Sequence, residues 1–561
     1  MLNLMRAWLL AAGVSLLAAC AGPMADGSGV RRETTLGPVV GEDLSATTGT
    51  YSWKGIPFAA PPVGARRWRA PADAQPWAQP RAAQAFAPAC VQTGRLYGPG
   101  LNNRYDETIG STLGRTLGSE DCLYLNVWQP AAPSAKPRPV IVFVHGGSNI
   151  TGYTADPVYD GAALARNADA VVVTVAYRLG IFGFLDLPAL KTGDALDDSG
   201  NFALLDIVKA LEFVQANARR FGGDPQRVTL MGQSAGAVNV YALLSSPLLA
   251  ARKAPLFQRV VAMSGGISTA ATLPPGAIPG VLPRQVWTTR GEALLAEARL
   301  ADPALGRDLR AASADFLLTV VRTRLAPRGM SASNPIPDGT VVATDPIAAI
   351  RAGRYVKVPV LAGTTRDETK LFPQLFAIRP ALGGVSGRLL DDAAVFALAY
   401  RYDPEAPAAT RIEDWVPPAY LPANAPGTGF DARARELNRL WFEAIRDDVL
   451  GALSSRQPQV WAYRFDWHAL PAPFDTIFGA AHTFDLPFVF GNFGPSLYSR
   501  VSFTRANEPG RLALSRSMMQ SLGAFAASGD PNAPALGTAW PAWPRKLVFD
   551  AEGSRPVVRV D

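Results

Sequence analysis

The chain has 561 residues, 48% hydrophobic and 18% charged, enough apolar material for one large core or for two or three smaller ones. Its 51 Gly and 48 Pro are spread along the chain, which excludes a low-complexity tract, and no repeat of solenoid or propeller period is present. The formal net charge of +7 is scattered, with no basic run longer than pairs such as Arg66-Arg67 and Arg219-Arg220, so a solvated surface accounts for it and nucleic acid is excluded as a partner.

Residues 1–19 read as an export signal: Arg6 supplies a positive start, and Ala7 to Leu17 are apolar but too short for a permanent membrane span. The stretch ends Leu17-Ala18-Ala19-Cys20, similar to the bacterial lipobox, whose Cys is lipid-modified and becomes the mature N-terminus. Cys20 is thus the expected lipidation site, since an ordinary signal peptide would leave an odd thiol in an oxidising compartment. Two or more acyl chains, at about 0.8 kcal/mol per buried methylene, would hold the protein on a membrane. Ala21 after the Cys, in place of Asp, points by the same resemblance to the outer membrane, and the protein is expected to be periplasmic or outer-membrane-anchored. Residues 20–33 read as a lipidated, flexible tether, and 34–561 as one folded domain. Cys90 and Cys122 then remain as a pair where disulfides persist, and the loop they close makes a bridge worth roughly 3 to 4 kcal/mol. A two-Cys metal site lacks a nearby His.

Further along, short apolar runs read as buried strands at 139–144, 170–177 and 227–231, with later ones at 258–263, 358–362 and 460–466. Helical patterns fall near 160–166 and over 202–219, where Leu204, Leu205, Val208, Leu211 and Val214 share a face. Strands alternating with helices indicate an α/β fold, a large, mostly parallel central sheet covered on both faces. Residues 265–340 are less regular and are expected to be an insertion forming the pocket rim.

The strand at 227–231 runs into Gly232-Gln233-Ser234-Ala235-Gly236, the form of a nucleophile elbow. The turn is so tight that residues flanking the Ser must lack bulk, and it holds the hydroxyl above the N-terminus of the following helix.

From here the chain resembles a known family. FGGDPQRVTLMGQSAG at 221–236 is similar to the active-site signature of type B carboxylesterases, the family of cholinesterases and para-nitrobenzyl esterases, and SEDCLYLNVW at 119–128 resembles its second signature. Further matches run from WKGIPFAAPPVGARRWRAP near the start, through YRLGIFGFL at 177–185, GNFALLDIVKALEFV at 200–214 and GTTRDE at 363–368, to DLPFVFGN at 485–492. The resemblance implies an α/β-hydrolase fold, a serine esterase using an acyl-enzyme with neither metal nor cofactor, and a family bridge at Cys90–Cys122.

A serine hydroxyl needs a base to take its proton, and the chain has only three His. His145 sits in the Gly-rich loop, where the family places an aromatic or His that shapes the loop. Triad members in this fold follow the order Ser, acid, His, leaving His468 and His482. His482, in GAAHTFDLPFVFG, matches the family's histidine motif, whereas His468 has no counterpart there. Of Asp367-Glu368, the family uses the second residue, which selects Glu368 over its neighbour. The expected triad is therefore Ser234, Glu368 and His482.

Ester attack creates an oxyanion that backbone N–H groups stabilise, at about 3 to 4 kcal/mol per donor. Ala235 is the expected donor from the elbow, and Gly147 and Ser148 those from the loop after the 139–144 strand. The family commonly carries a third glycine where Ser148 stands. Its Cβ is expected to narrow the pocket floor and disfavour bulky alcohols. Gln233 replaces a common Glu and removes a source of negative potential. The loop from Cys90 to Cys122 contains no Trp for cation–π binding of a quaternary ammonium, with Tyr97 and Tyr105 as weaker substitutes. Small to medium neutral esters are thus expected, rather than choline esters. A non-catalytic surface binding protein, as the neuroligins are in this fold, is disfavoured by the complete triad. Acyl transfer or lactone opening on the same triad stays open, as does the oligomeric state.

Overall fold

The structure, a computed structural model, describes residues 29–306, 308–372, 391–400, 402–406 and 410–561. The expected signal, Cys20 and the tether up to residue 28 lie outside the described residues. The folded chain begins earlier than the expected boundary at 34. Val30 is buried, and Arg31–Glu33 pairs antiparallel with Pro38–Val40, so these backbone groups are satisfied inside the domain.

Eleven strands form the central sheet, numbered here in chain order: β1 (Glu42–Leu44), β2 (Thr50–Pro57), β3 (Tyr124–Pro130), β4 (Arg138–Val144), β5 (Val171–Val175), β6 (Gly223–Gln233), β7 (Arg259–Met263), β8 (Val360–Thr365), β9 (Val460–Phe465), β10 (Lys546–Glu552) and β11 (Arg555–Val560). Their spatial order is β1-β2-β3-β5-β4-β6-β7-β8-β9-β10-β11. From β5 through β10 in that order all neighbours are parallel, and antiparallel pairs finish both edges.

Alternation along β4 explains why its run is apolar throughout. Val140, Val142 and Val144 pack on one face with α2 (Phe202–Asn217) and α3 (Ala235–Leu244). Ile141 and Phe143 point to the other, against α1 (Ala162–Ala168) and α5 (Glu508–Ser528).

The segment 265–340 is more ordered than its sequence pattern indicates, and it serves another purpose. Its α4 (Arg284–Ala301) buries Trp287, Leu294 and Ala298. Leu294 and Ala298 pack in a core with Phe182, Leu187 and Phe202, while Arg284 and Thr288 both bond Asp186. None of the described residues lining the large cavity comes from 265–340. The insertions that wall that cavity are instead the Cys90–Cys122 loop and stretches between 391 and 501. Cys90 and Cys122 form the expected disulfide, separated by 32 residues. Gln92 ties this loop to the turn after β4: its amide donates to Gly152 O at 2.9 Å, and its Oε1 accepts from Gly152 N–H at 2.9 Å and Thr151 Oγ1 at 2.7 Å.

Candidate active site

The loops that follow β4, β6, β8 and β9 meet at the carboxyl ends of the parallel strands, where open α/β sheets place their ligands. Ser234 sits between β6 and α3 with φ 56° and ψ −125°, a strained conformation outside any regular element. Its flanking glycines are required sterically. A Cβ on Gly232 would lie 2.4 Å from Gly236 O, and one on Gly236 would lie 2.2 Å from Val144 O. Gly265 completes the fit, since a Cβ there would meet Ser234 O at 2.6 Å.

His482 and Glu368 come together beneath the elbow. The imidazole Nδ1–H donates to Glu368 Oε2 at 2.5 Å, and Glu368 Oε1 accepts from Thr365 N–H at 2.7 Å. Glu368 is wholly buried and His482 only 3% exposed. Phe372 and Phe442 flank the imidazole, ring centroids 5.2 and 5.3 Å away. With Nδ1 donating to a carboxylate, Nε2 presents its lone pair, and it lies 3.2 Å from the Gln233 amide nitrogen. Among the described residues none is hydrogen-bonded to Ser234 Oγ. Ser234 and His482 line one cavity, and such contacts commonly tighten only when substrate is bound.

Asp367, the rival acid, is turned away from the imidazole. Its Oδ2 accepts from Arg366 at 2.7 and 2.9 Å and from Ala480 N–H at 3.0 Å, while its own N–H donates to Ala480 O at 2.9 Å. Burial works to raise this carboxyl, but Lys370, Arg366 and the Ala480 N–H outweigh it and hold it below the usual carboxylate range. His468 lies at the surface beside Arg366, which it contacts at 3.1 Å. It takes no part in the cavity's described lining. His145 is buried and stacked on Tyr177 at 4.6 Å, its Nδ1 against Gly146 O. Burial pushes its imidazole down to about 4, so it is a neutral shaper of the loop.

Gly147, with φ 94°, and Ser148, with φ 55°, line the cavity beside Ser234, and Ala235 opens α3, where backbone N–H groups lack helical acceptors. A Cβ on Gly147 would strike Thr151 O at 2.1 Å. Asn149, not singled out by sequence, fixes this turn from below. Its Oδ1 accepts from Asn239 Nδ2 at 2.8 Å and from the Tyr177 hydroxyl, which also donates to His145 O. Only its place one residue beyond the candidate donors could have marked it. The cavity also receives an indole, from Trp415 rather than from the Cys90–Cys122 loop. Among the described residues, no group of His, Cys, Asp and Glu is arranged to hold a metal ion.

A strained Ser on an elbow, a carboxylate-held His and a turn of backbone N–H groups around one cavity define a serine hydrolase of the α/β-hydrolase fold. The comparisons narrow this class: a profile described as "Carboxylesterase family" matches residues 29–550, and the chain belongs to that family, the carboxylic ester hydrolases. It is 32% identical over 514 residues to the para-nitrobenzyl esterase of Bacillus subtilis, covering 90% of this chain and 92% of that one. It is also 32% identical over 560 residues to the fumonisin B1 esterase of Sphingopyxis macrogoltabida, covering 98% and 91%. A solved para-nitrobenzyl esterase structure superposes with TM-score 0.71 at 30% identity, covering 95% of this chain and 97% of the other.

Proposed function

We propose that this esterase acts through an acyl-enzyme on Ser234. In this mechanism His482 takes the hydroxyl proton as the ester carbonyl is attacked, and Glu368 holds the imidazole in the required tautomer and balances the imidazolium. The N–H groups of Gly147, Ser148 and Ala235 receive the oxyanion. Collapse expels the alcohol with the proton from His482, and water repeats the sequence to release the acid. The observation that carries this reading is the 2.5 Å Glu368–His482 hydrogen bond beside the Ser234 elbow, both facing one cavity. Small to medium neutral esters are the proposed substrates. Hydrolysis of p-nitrophenyl acetate, butyrate and octanoate by the wild type and by Ser234→Ala tests it. Turnover lost in the variant supports the assignment, and turnover retained in full removes it.

The second part of the proposal is that the protein is exported and held on a membrane, in the periplasm or at the outer membrane, through lipid on Cys20. The support is the apolar run ending Leu17-Ala18-Ala19-Cys20. No described helix is long and apolar enough to cross a membrane. Cys20→Ser is expected to move the expressed protein from the membrane to the soluble fraction. If the variant fractionates with membranes as the wild type does, the anchor lies elsewhere.

A further inference from the structure

Among the described residues that line the cavity, one charged group is left uncompensated. The lining cations, Arg95 and Lys370, are both engaged: Arg95 Nε bonds Asp392 at 2.7 Å, and Lys370 Nζ bonds Asp431 at 2.7 Å with Asp367 3.8 Å away. Of the lining acids, Asp392 is thereby paired, whereas Asp156 has no cationic partner among the described residues. Among the described residues its carboxylate accepts one hydrogen bond, from Val158 N–H at 2.9 Å, which starts the Pro157–Tyr159 turn. The phenols around it supply no counter-charge. Those of Tyr105, Tyr153 and Tyr159 are pushed up, first by burial and next by the charge of Asp156 itself. Burial likewise pushes the Asp156 carboxyl up to about 6, against only the Val158 N–H. At neutral pH the cavity therefore contains a partly desolvated carboxylate with acceptor capacity to spare, eight residues along the chain from the Ser148 turn.

A substrate group that donates a hydrogen bond would satisfy that capacity, while a second carboxylate would bring a like charge into a site where water screens poorly. We propose that Asp156 is a specificity-determining residue, whose carboxylate accepts a hydrogen bond from a hydroxyl group of the ester substrate and disfavours esters bearing a further carboxylate. This deepens the neutral-ester reading above and rests on the esterase assignment made there.

Two matched pairs test it by titrimetric assay at pH 7.5: glycerol monobutyrate against propyl butyrate, and methyl butyrate against monomethyl succinate. The wild type is expected to favour the first member of each pair in kcat/KM, by about tenfold and about a hundredfold. Asp156→Asn keeps an acceptor for Val158 N–H and removes the charge, and Asp156→Ser is a second variant with the same capping ability. In either, the methyl butyrate to monomethyl succinate ratio is expected to fall at least tenfold. If both folded variants keep each ratio within twofold of the wild type while p-nitrophenyl butyrate is turned over, the proposal is overturned and the esterase reading stands. If wild type and variants alike fail to hydrolyse p-nitrophenyl butyrate, both readings are overturned together.

Discussion

Ser148 occupies a backbone conformation that suits glycine. At φ 55° its Cβ crowds the following carbonyl, a strain of about 1 kcal/mol. The neighbouring Gly147 and Asn149 also have positive φ, so the turn is held left-handed over three residues, and the Asn149 bonds to Asn239 and Tyr177 keep it there. Ser148→Gly is therefore expected to leave the donors in place, raise Tm slightly and widen alcohol tolerance, as read from rates on methyl, butyl and benzyl butyrates. An unchanged alcohol profile would separate the Cβ from specificity. A second single-residue effect is a pH dependence. Asp485 is wholly buried three residues after His482; its Oδ2 accepts from the Tyr463 hydroxyl at 2.7 Å, and its Oδ1 has no hydrogen-bond partner among the described residues. Burial, with the Glu368 charge adding to it, pushes this carboxyl up to about 7 from its ordinary 3.8. The folded state thus keeps a proton that the unfolded chain releases. Stability falls as pH rises from about 4 to about 7, and the loss, at most about 4 kcal/mol at 1.36 kcal/mol per unit, persists above. Thermal melts between pH 5 and 8 are expected to show a flatter Tm profile for Asp485→Asn than for the wild type.

Among elements, the decisive contact is between the loop after β8 and the loop after β9, because the proposed acid lies on one and the base on the other. The parallel register from Val360↔Val460 to Thr365↔Phe465 brings them side by side, and Asp367 then bonds Ala480 through both backbone and side chain. Gly479, at φ 54°, is required for the approach, since a Cβ there would lie 2.4 Å from Asp367 Oδ2. Asp367→Ala is expected to lower kcat about tenfold or more with little change in KM, and Asp367→Asn, which keeps an acceptor for Ala480 N–H, to recover part of it. A loss confined to Tm, with kcat intact, would reduce Asp367 to a purely structural role. Much of this level was legible in the sequence. The apolar runs of β4 to β9 mark strands buried on both faces, and the requirement for small residues around Ser234 marks the elbow. The placement of Asp367 was not, because it depends on Ala480, more than a hundred residues away. Nor was the placement of 265–340, which reads as irregular, since nothing local to the segment shows that Phe182 and Leu187 receive Leu294 and Ala298 of α4.

At the scale of the whole molecule the cavity is an assembly of distant segments, and its wall nearest the proposed oxyanion turn is the Cys90–Cys122 loop, which contributes Arg95, Leu96, Tyr97 and Tyr105. Among the described residues, the restraints on that loop include the disulfide, the Gln92 bonds to Thr151 and Gly152, the Arg95–Asp392 ion pair, the part-buried Arg67–Glu120 ion pair and the Tyr400–Glu107 hydrogen bond. The Arg95–Asp392 pair is exposed at Arg95 and half-buried at Asp392, and it contributes little, about 0 to 1 kcal/mol. The disulfide dominates, since releasing a loop of 32 residues returns roughly 3 to 4 kcal/mol of chain entropy to the unfolded state. The Gln92 bonds are buried and local, so they fix where the loop sits on the Gly152 turn even when the bridge is absent. Cys90→Ser/Cys122→Ser is accordingly expected to lose about 3 to 4 kcal/mol in denaturant unfolding while keeping kcat on p-nitrophenyl acetate, which is small enough to react without the outer wall. KM for p-nitrophenyl octanoate, whose longer chain fills more of the cavity, is expected to rise severalfold. Equal losses on both esters would mean that the bridge supports the reacting groups themselves, and unchanged KM on both would mean that Gln92 and the loop's ion pairs position the wall without the bridge.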